Sequence, residues 1–349
     1  MKSSLLRRSP MFVLATVALA ACSAATAKSG FTTQGTGAGS SGGDGTGGGG
    51  ITGLGNDGGT GAGVTAAYAH TNDTLFKLDP SQPNLALTEI GAFDCIGSGP
   101  GQDSSMTDLA VNDTGDLWGI SAHDVFKLEL PSGGTGTVHC ASKYPIVSSQ
   151  ATFYGLTFAP VNVIDPSKEV LVAGNTAGEL WAIDTSSQTA ALTQHGTFGT
   201  VPANDGHGHA YLHPGTTWQL SGDIVFLANN GSPVGFATVR DCSSSSCNTT
   251  DTLVELDLTA VGMAGTQPVI KSLRGQIVKS TGCNDSNAAY GGMYGIAAFQ
   301  DKVYGFSHTG FIVTIDNNDG TACLALATPN DDWAGAAITT SAQVVPPTQ

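Results

Sequence analysis

Charge is scarce in this chain, and positive charge scarcer still. Only 12% of residues are Asp, Glu, Lys or Arg, and 13 basic side chains stand against 28 acidic ones, a formal net charge of −15. Nucleic-acid binding rests on cations that neutralise phosphates, so no nucleic-acid partner is expected. Long apolar runs are missing too. Nowhere do 18 apolar residues follow one another, which excludes a membrane-spanning helix. No G-x-S-x-G, Walker motif or dinucleotide fingerprint stands in its required context, and no cofactor is expected. What the chain does have is glycine, 48 of 349 residues, with much Thr, Ser and Val. That composition with so little charge points away from a helical protein. The length suits one large domain or two modest ones.

The first residues read as an address. Lys2, Arg7 and Arg8 precede an apolar stretch of 11 residues, Met11 to Ala21, too short to cross a bilayer. The stretch ends Leu19-Ala20-Ala21-Cys22, which resembles the lipobox of bacterial lipoproteins. The resemblance implies a signal peptide over residues 1–21, cleavage before Cys22 and diacylation of its thiol. An ordinary secretory signal with a chance Cys is the alternative. Ser23 is not the Asp that retains enteric lipoproteins in the inner membrane, which favours the outer membrane, on its periplasmic or surface face. Cleavage leaves 349 − 21 = 328 residues and removes three positive charges, giving −15 − 3 = −18. Anionic headgroups repel such a body, so the membrane is met through the acyl chains alone. Residues 22–63 follow as the lipidated Cys and a tether. Gly30 to Gly63 holds 17 glycines, too little apolar surface to offset the entropy of ordering. The 41 residues from 23 to 63 as a flexible coil span about 35 Å.

The body, residues 64–349, repeats itself. Leu75-Phe76-Lys77-Leu78-Asp79, Val125-Phe126-Lys127-Leu128-Glu129, Leu180-Trp181-Ala182-Ile183-Asp184, Leu253-Val254-Glu255-Leu256-Asp257 and Ile312-Val313-Thr314-Ile315-Asp316 are short strands closed by an acid. They start 50, 55, 73 and 59 residues apart, a period of stacked supersecondary units. Two strands precede each, as in Tyr154-Gly155-Leu156-Thr157-Phe158 with Val170-Leu171-Val172-Ala173, and Tyr294-Gly295-Ile296-Ala297 with Val303-Tyr304-Gly305-Phe306. A fourth follows. Four short strands per unit predict an all-β fold, a β-propeller. The first unit lacks its innermost strand, and Trp333 to Thr339 is left over after the fifth. A C-terminal strand that completes the N-terminal blade closes the ring and hides its edges. Five blades are expected, with six as the alternative, because the 73-residue interval has room for a degenerate blade. The preferred reading of that interval is an inserted hairpin of Phe236 to Arg240 against Thr252 to Asp257, tipped by Cys242 and Cys247.

The Leu-Trp-Ala-Ile-Asp strand, with Gly178 before it, resembles the L-Y-x-I-D repeats of bacterial extracytoplasmic β-propellers. The Gly-rich tether after a lipobox is similar to that of lipoproteins from myxobacteria and their relatives. The blade resemblance covers roughly residues 64 to 340. It implies architecture and not activity, since propellers serve as enzymes, binders and scaffolds.

Seven Cys minus Cys22 leaves six, an even number suited to an oxidising compartment. Cys95 and Cys283 lie in loops entering the second and fifth blades, and Cys140 and Cys323 on the fourth strands of those blades. Equivalent places predict Cys95–Cys140 and Cys283–Cys323, leaving Cys242–Cys247 as a local pair.

The acids that close the repeated strands read as turn caps. His70, His123 and His308 recur near the turn between second and third strands and read as inherited turn chemistry. Asp205, His207 and His209, followed by His213, form the densest metal-type cluster, with His-x-His putting both rings on one side of an extended segment. The mouth of the ring is the best generic site. Asp108, Tyr154, His213, Tyr294 and Trp333 stand at the entrances to innermost strands, and aromatics with a few polar groups suit a small ligand or a glycan. The contrary expectation is that they plug the channel. Three functions follow: an envelope lipoprotein whose propeller binds a ligand or protein, a metal-dependent hydrolase or lactonase with its site in the channel, or a structural envelope protein.

Overall fold

The computed structural model describes residues 67–79, 82, 85–147, 152–299 and 302–342. The signal peptide, Cys22, the tether and residues 64–66 lie outside the described residues. The first blade contains β1 (Ala67–His70), β2 (Thr74–Asp79) and β3 (Ala86–Ala92). The second runs β4 (Met106–Val111), β5 (Leu117–Ser121), β6 (Asp124–Glu129) and β7 (His139–Pro145). The third runs β8 (Phe153–Ala159), β9 (Val170–Asn175), β10 (Glu179–Asp184) and β11 (Ala191–Thr197). In the fourth, β12 (Trp218–Leu227), β13 (Val234–Asp241) and β14 (Thr252–Leu256) are followed by a short helix α1 (Leu258–Val261) and β15 (Gly265–Pro268), then β16 (Ile270–Gln276). The fifth runs β17 (Met293–Phe299), β18 (Lys302–Ser307), β19 (Phe311–Ile315) and β20 (Ala322–Ala327), and β21 (Gly335–Ile338) comes last.

Among the described residues these strands form five sheets, the blades of a β-propeller, antiparallel except that β15 reaches across to lie parallel to β11 of the third blade. The first sheet has the order β21-β1-β2-β3. The leftover C-terminal strand is thus innermost in the first blade, with Ala67 opposite Ile338 and His70 opposite Gly335. The first and last described strands meet in one ladder, and the ring closes as the repeat predicts.

The six-blade alternative is not what forms. Residues 234–241 and 252–256 do pair as a hairpin, with Phe236 opposite Glu255 and Val239 opposite Thr252. It is not an insertion, however, but the middle of the fourth blade, β12-β13-β14-β16. The extra length lies in the connection 198–217, which buries Phe198, Val201 and Tyr211 against the fourth blade. Tyr211 meets Trp218 edge-on at 4.9 Å.

Position in the blade explains the sequence of each strand. Innermost strands are covered on both faces, so β4 reads Met-Thr-Asp-Leu-Ala-Val and is buried throughout. Such strands lose alternation and become nearly continuous apolar runs. The outermost β7 alternates exposed and half-buried residues instead. Four apolar clusters fill the seams between neighbouring blades, so the core is divided among the seams.

The rim of the ring is belted. The ends of four outermost strands make short parallel bridges to the next blade: Phe93 with Val138, Ile146 with Ala190, His195 with Gly265 and Lys279 with Ala322. Two disulfides staple equivalent seams in this belt. Cys95–Cys140 joins blades one and two, Cys283–Cys323 joins blades four and five, and Cys242–Cys247 closes the β13–β14 hairpin. The pairing matches the expectation from the repeat. Gly91, Gly196 and Gly275 occupy corresponding bulges with φ of +148°, +137° and +140°. A Cβ on Gly196 would sit 2.2 Å from Val269 Cγ1, and one on Gly275 2.1 Å from the Asp319 carbonyl. Only glycine lets the next blade come this close.

Candidate functional site

The five innermost strands begin with one shared motif. Met106-Thr107-Asp108, Phe153-Tyr154-Gly155, Leu220-Ser221-Gly222-Asp223, Met293-Tyr294-Gly295 and Trp333-Ala334-Gly335 take corresponding positions around the axis. The first residue of each is buried. In four strands the register shifts next, between Met106 and Asp108, Phe153 and Gly155, Leu220 and Ile224, and Met293 and Gly295. A bulge re-aims the side chain it carries. Here it turns Tyr154 and Tyr294 out of the seams to half-exposed positions at the mouth.

The two rings come together at 6.4 Å between centroids, tilted 42°. His308, from the β18–β19 turn, stacks on Tyr294 at 4.7 Å and 16°. Arg240, at the end of β13, supports this ladder. Its Nε donates to Asp251 Oδ1 at 2.7 Å and its Nη2 to Ser221 Oγ at 2.8 Å. Burial works against the Arg240 charge, but Asp251 and Tyr294 outweigh it and raise the pKa. Asp251 Oδ2 in turn accepts from Met293 N at 2.7 Å, which ties the clamp to the backbone beside Tyr294.

Below the ladder the axis is filled. Asp108 and Asp223 are both 0% exposed. Asp108 Oδ2 accepts from the Leu156 N–H. Asp223 Oδ1 accepts from Ile224 N at 2.5 Å and Oδ2 from Ile296 N at 2.7 Å, with a further backbone contact to Ala336. Inward-turned N–H groups of several innermost strands thus end on two carboxylates, as buried donors must find acceptors. Burial raises the pKa of both acids, and the Asp223 charge raises Asp108 further. Two carboxylates brought together out of water disfavour each other's ionisation, which favours a proton on the pair. His70 completes the hub. Its Nδ1 donates to the Thr71 carbonyl at 2.7 Å, and its Nε2 faces Asp108 Oδ1 at 4.0 Å. Burial lowers its pKa to about 4, so the ring is neutral. A Cβ on Gly335 would lie 2.2 Å from Asp108 Oδ1 and 2.3 Å from His70 Nε2, so this crossing requires glycine.

Asp108, Tyr154 and Tyr294 therefore gather about the axis, with Asp108 sealed beneath the rings. Trp333 requires a correction. It is 0% exposed and packs edge-on against Phe76 at 5.2 Å and Phe306 at 5.9 Å, with Nε1 donating to Thr328 Oγ1 at 2.8 Å. As the first, core-facing residue of the motif it cannot rim the mouth. His213 makes no ring contact with the tyrosines among the described residues: Asp241 accepts from its backbone N–H at 3.1 Å, and its Nε2 meets Ser246 Oγ at 3.5 Å on the β13–β14 hairpin.

The cluster Asp205, His207 and His209 has a structural occupation. Asp205 Oδ1 accepts from His207 N at 2.8 Å and His209 N at 3.0 Å, and Oδ2 from His209 Nδ1 at 2.9 Å and Gln276 N at 3.2 Å. Burial opposes its ionisation, but these donors prevail and lower the pKa to about 2. Four donors saturate the carboxylate, and the His207 ring edge lies beside Gly275. Asp184, Asp257 and Asp316 cap turns, accepting from Ser186, Thr259 and Asn318 N–H groups at 2.9, 2.9 and 2.8 Å.

Arg240, Asp223, His70 and His308 were not read as site residues. The histidines had a signal, their recurrence at the β-turn between second and third strands. Two of them reach the axis, whereas His123 is 79% exposed and pairs with Asp103 at 2.6 Å. Arg240 and Asp223 had none, because the wide bulge in β12 breaks the aromatic-glycine pattern that marks its neighbours.

No protein-family model matches the chain, and no curated protein does. Among solved structures it is similar to a β-propeller domain from Myceliophteria thermophila, at 11% identity over 76% of this chain and 88% of that one, with a TM-score of 0.34. It is similar to the WD40 repeats of RRP9 at 12% identity, over 79% and 81% of the two chains, with a TM-score of 0.36. A protein of unknown function from Bacteroides caccae matches at 10% identity over 78% and 98%, with a TM-score of 0.32. Likeness this distant carries no argument about activity, and the blade assignment rests on the sheet order itself.

Proposed function

We propose that this is an exported, lipid-anchored envelope protein whose propeller is a binding module, with the mouth of the ring as its contact surface. The observation that carries this is the ladder Tyr154–Tyr294–His308. Corresponding bulges present it half-exposed, and Arg240 holds it in place. A rigid row of rings over a closed floor suits a flat ligand with one apolar face, such as a sugar ring of an envelope glycan. The three disulfides suit an extracytoplasmic address. No helix among the described residues is long and apolar enough to cross a membrane, and anchoring is assigned to Cys22. Binding is favoured over metal-dependent hydrolysis because three of the four oxygens of the axial carboxylates are already spent on strand N–H groups.

Titrating purified protein against envelope oligosaccharides tests the contact surface. Tyr154→Ala and Tyr294→Ala should each weaken binding about tenfold, or 1.4 kcal/mol. Oligosaccharide binding that survives the double variant unchanged refutes the mouth. Cys22→Ser should move the protein from membrane to soluble fractions. Equal retention in the membrane refutes the anchor and leaves the binding surface standing.

A further inference from the structure

The two seam staples stand at equivalent places but differ in what surrounds them. At the first seam Phe93 bridges Val138, Asp94 N donates to the Val138 carbonyl at 3.1 Å, and Val138 N donates to the Ala92 carbonyl at 2.9 Å. This backbone ladder sets Asp94-Cys95 beside His139-Cys140 without help from the disulfide. The Asp94 carboxylate is turned onto the staple. Its Oδ1 accepts from Cys140 N at 2.9 Å and its Oδ2 from His139 Nδ1 at 2.6 Å. A carboxylate oxygen of Asp94 and the sulfurs of Cys95 and Cys140 all lie within 4.8 Å of one another. Among the described residues no other His, Cys, Asp and Glu atoms gather in this way.

The other seam has the same ladder, with Lys279 bridging Ala322 and Ser280 N donating to the Ala322 carbonyl at 2.9 Å. There Cys323 stands between Ala322 and Leu324. Asp285 accepts from Tyr290 OH at 2.8 Å and Asn287 N at 3.0 Å, and no third ligand atom joins the sulfurs of Cys283 and Cys323. Stapling a seam accounts for both disulfides, but not for the carboxylate gathered onto the first.

Two cysteines and a carboxylate are donors of the kind zinc takes in a tetrahedral site. Bridged sulfurs do not serve, but the thiolates left by reduction do. Sulfurs on one zinc stand about 3.8 Å apart, and Cα atoms 5.8 Å apart allow that by rotation of the side chains. Asp94 is 38% exposed and both cysteines are half-buried, so an ion reaches the place from solvent.

We propose that the first seam is a redox-dependent metal site: a disulfide when oxidised, and a zinc-class cation held by Cys95, Cys140 and Asp94 when reduced. A dithiol reductant passes two electrons and two protons to the bridge, leaving two thiols and its own disulfide. The divalent cation then displaces both thiol protons to solvent. His139 orients the carboxylate, and water completes the tetrahedron. The first seam is thus cross-linked in both states, whereas Cys283–Cys323 is simply open once reduced.

Cobalt(II) titration of the Cys22→Ser chain, which lacks the seventh thiol, tests this after reduction with dithiothreitol and its removal under argon. The reduced chain should take up cobalt with thiolate charge-transfer absorption that Zn²⁺ abolishes, and the oxidised chain should not. Zn²⁺ should raise the melting temperature of the reduced chain, or restore a cooperative transition where reduction alone has abolished it. Asp94→Ala keeps both thiols and should weaken the metal about tenfold or more. Cys95→Ser with Cys140→Ser should abolish both effects, and Cys283→Ser with Cys323→Ser should keep them. No thiolate-bound cobalt in the reduced chain, undiminished binding in Asp94→Ala, or binding that follows Cys283 and Cys323 in place of Cys95 and Cys140 each overturns the proposal.

Discussion

The axial carboxylates tie single residues to a pH dependence. Asp108 and Asp223 are buried with raised pKa values, so the folded chain keeps a proton that the unfolded chain gives up above about pH 4. Stability contributed this way falls as pH rises from there toward the folded value. His70 works in the opposite direction. Lowered by burial to about 4, it refuses a proton that the unfolded chain takes below about pH 6.5, so its contribution rises with pH over that interval. Between about 4 and 6.5 the two oppose each other, and above about 6.5 His123 and His139, raised by Asp103 and Asp94, also give up stability as pH rises. Chemical denaturation of the parent and of Asp108→Asn should therefore diverge as pH rises above about 4, the parent losing stability relative to the variant by as much as about 1.4 kcal/mol per pH unit. Asp108→Asn needs no proton to be neutral, and its amide can still accept from Leu156 N–H and donate toward His70. Its own profile should be shallower than the parent's, because only Asp223 is left to keep a proton at the axis. A parallel decline in the variant would rule out the shared proton. Asp108 was legible because it stands at a strand entrance, but its role was not. A strand pattern shows which residue points at the axis, not that a second carboxylate from two blades away meets it there.

The staples and bulges decide how blades adhere. Cys95–Cys140 and Cys283–Cys323 close separations of 45 and 40 residues, and Cys242–Cys247 closes 5. Loop-closure entropy makes the first two worth about 4 kcal/mol each and the hairpin bridge about 2. Paired Cys→Ser replacements, compared by urea denaturation, should reproduce that order. A hairpin pair that costs as much as a seam pair would contradict the assignment of the long bridges to the seams. These pairings were readable beforehand because the repeat puts Cys at equivalent places in two blades. The bulge glycines were not, since Gly91, Gly196 and Gly275 meet backbone or side chains of the next blade, a contact between units that no single repeat displays.

Closure governs the whole molecule. β21 supplies the inner edge of the first blade, pairing Ala67 to His70 with Ile338 to Gly335, and brings Trp333, Ala336 and Ile338 into the core. Ending the chain after Asp332 leaves that edge unpaired, at about 1 kcal/mol net for each ladder hydrogen bond. It also uncovers large side chains worth about 1.5–3 kcal/mol each and takes Gly335 away from the hub. Such losses rival the roughly 5–15 kcal/mol that stabilises an ordinary domain. The shortened chain should aggregate or lose its cooperative thermal transition. An unchanged melting temperature would show that the ring does not depend on this strand.

Period, strand number, the leftover C-terminal strand and the cysteine pairs were all determined by the sequence itself. Each is a property of spacing along the chain, and a repeat writes its spacing several times over. The burial of Trp333 was decided only in three dimensions. So were the meeting of Asp108 with Asp223 and the gathering of Tyr154, Tyr294, His308 and Arg240. The axis of a ring belongs to all five blades at once. Which side chain reaches it depends on a one-residue bulge, and a shift of one residue reverses the face to which a strand's side chain points.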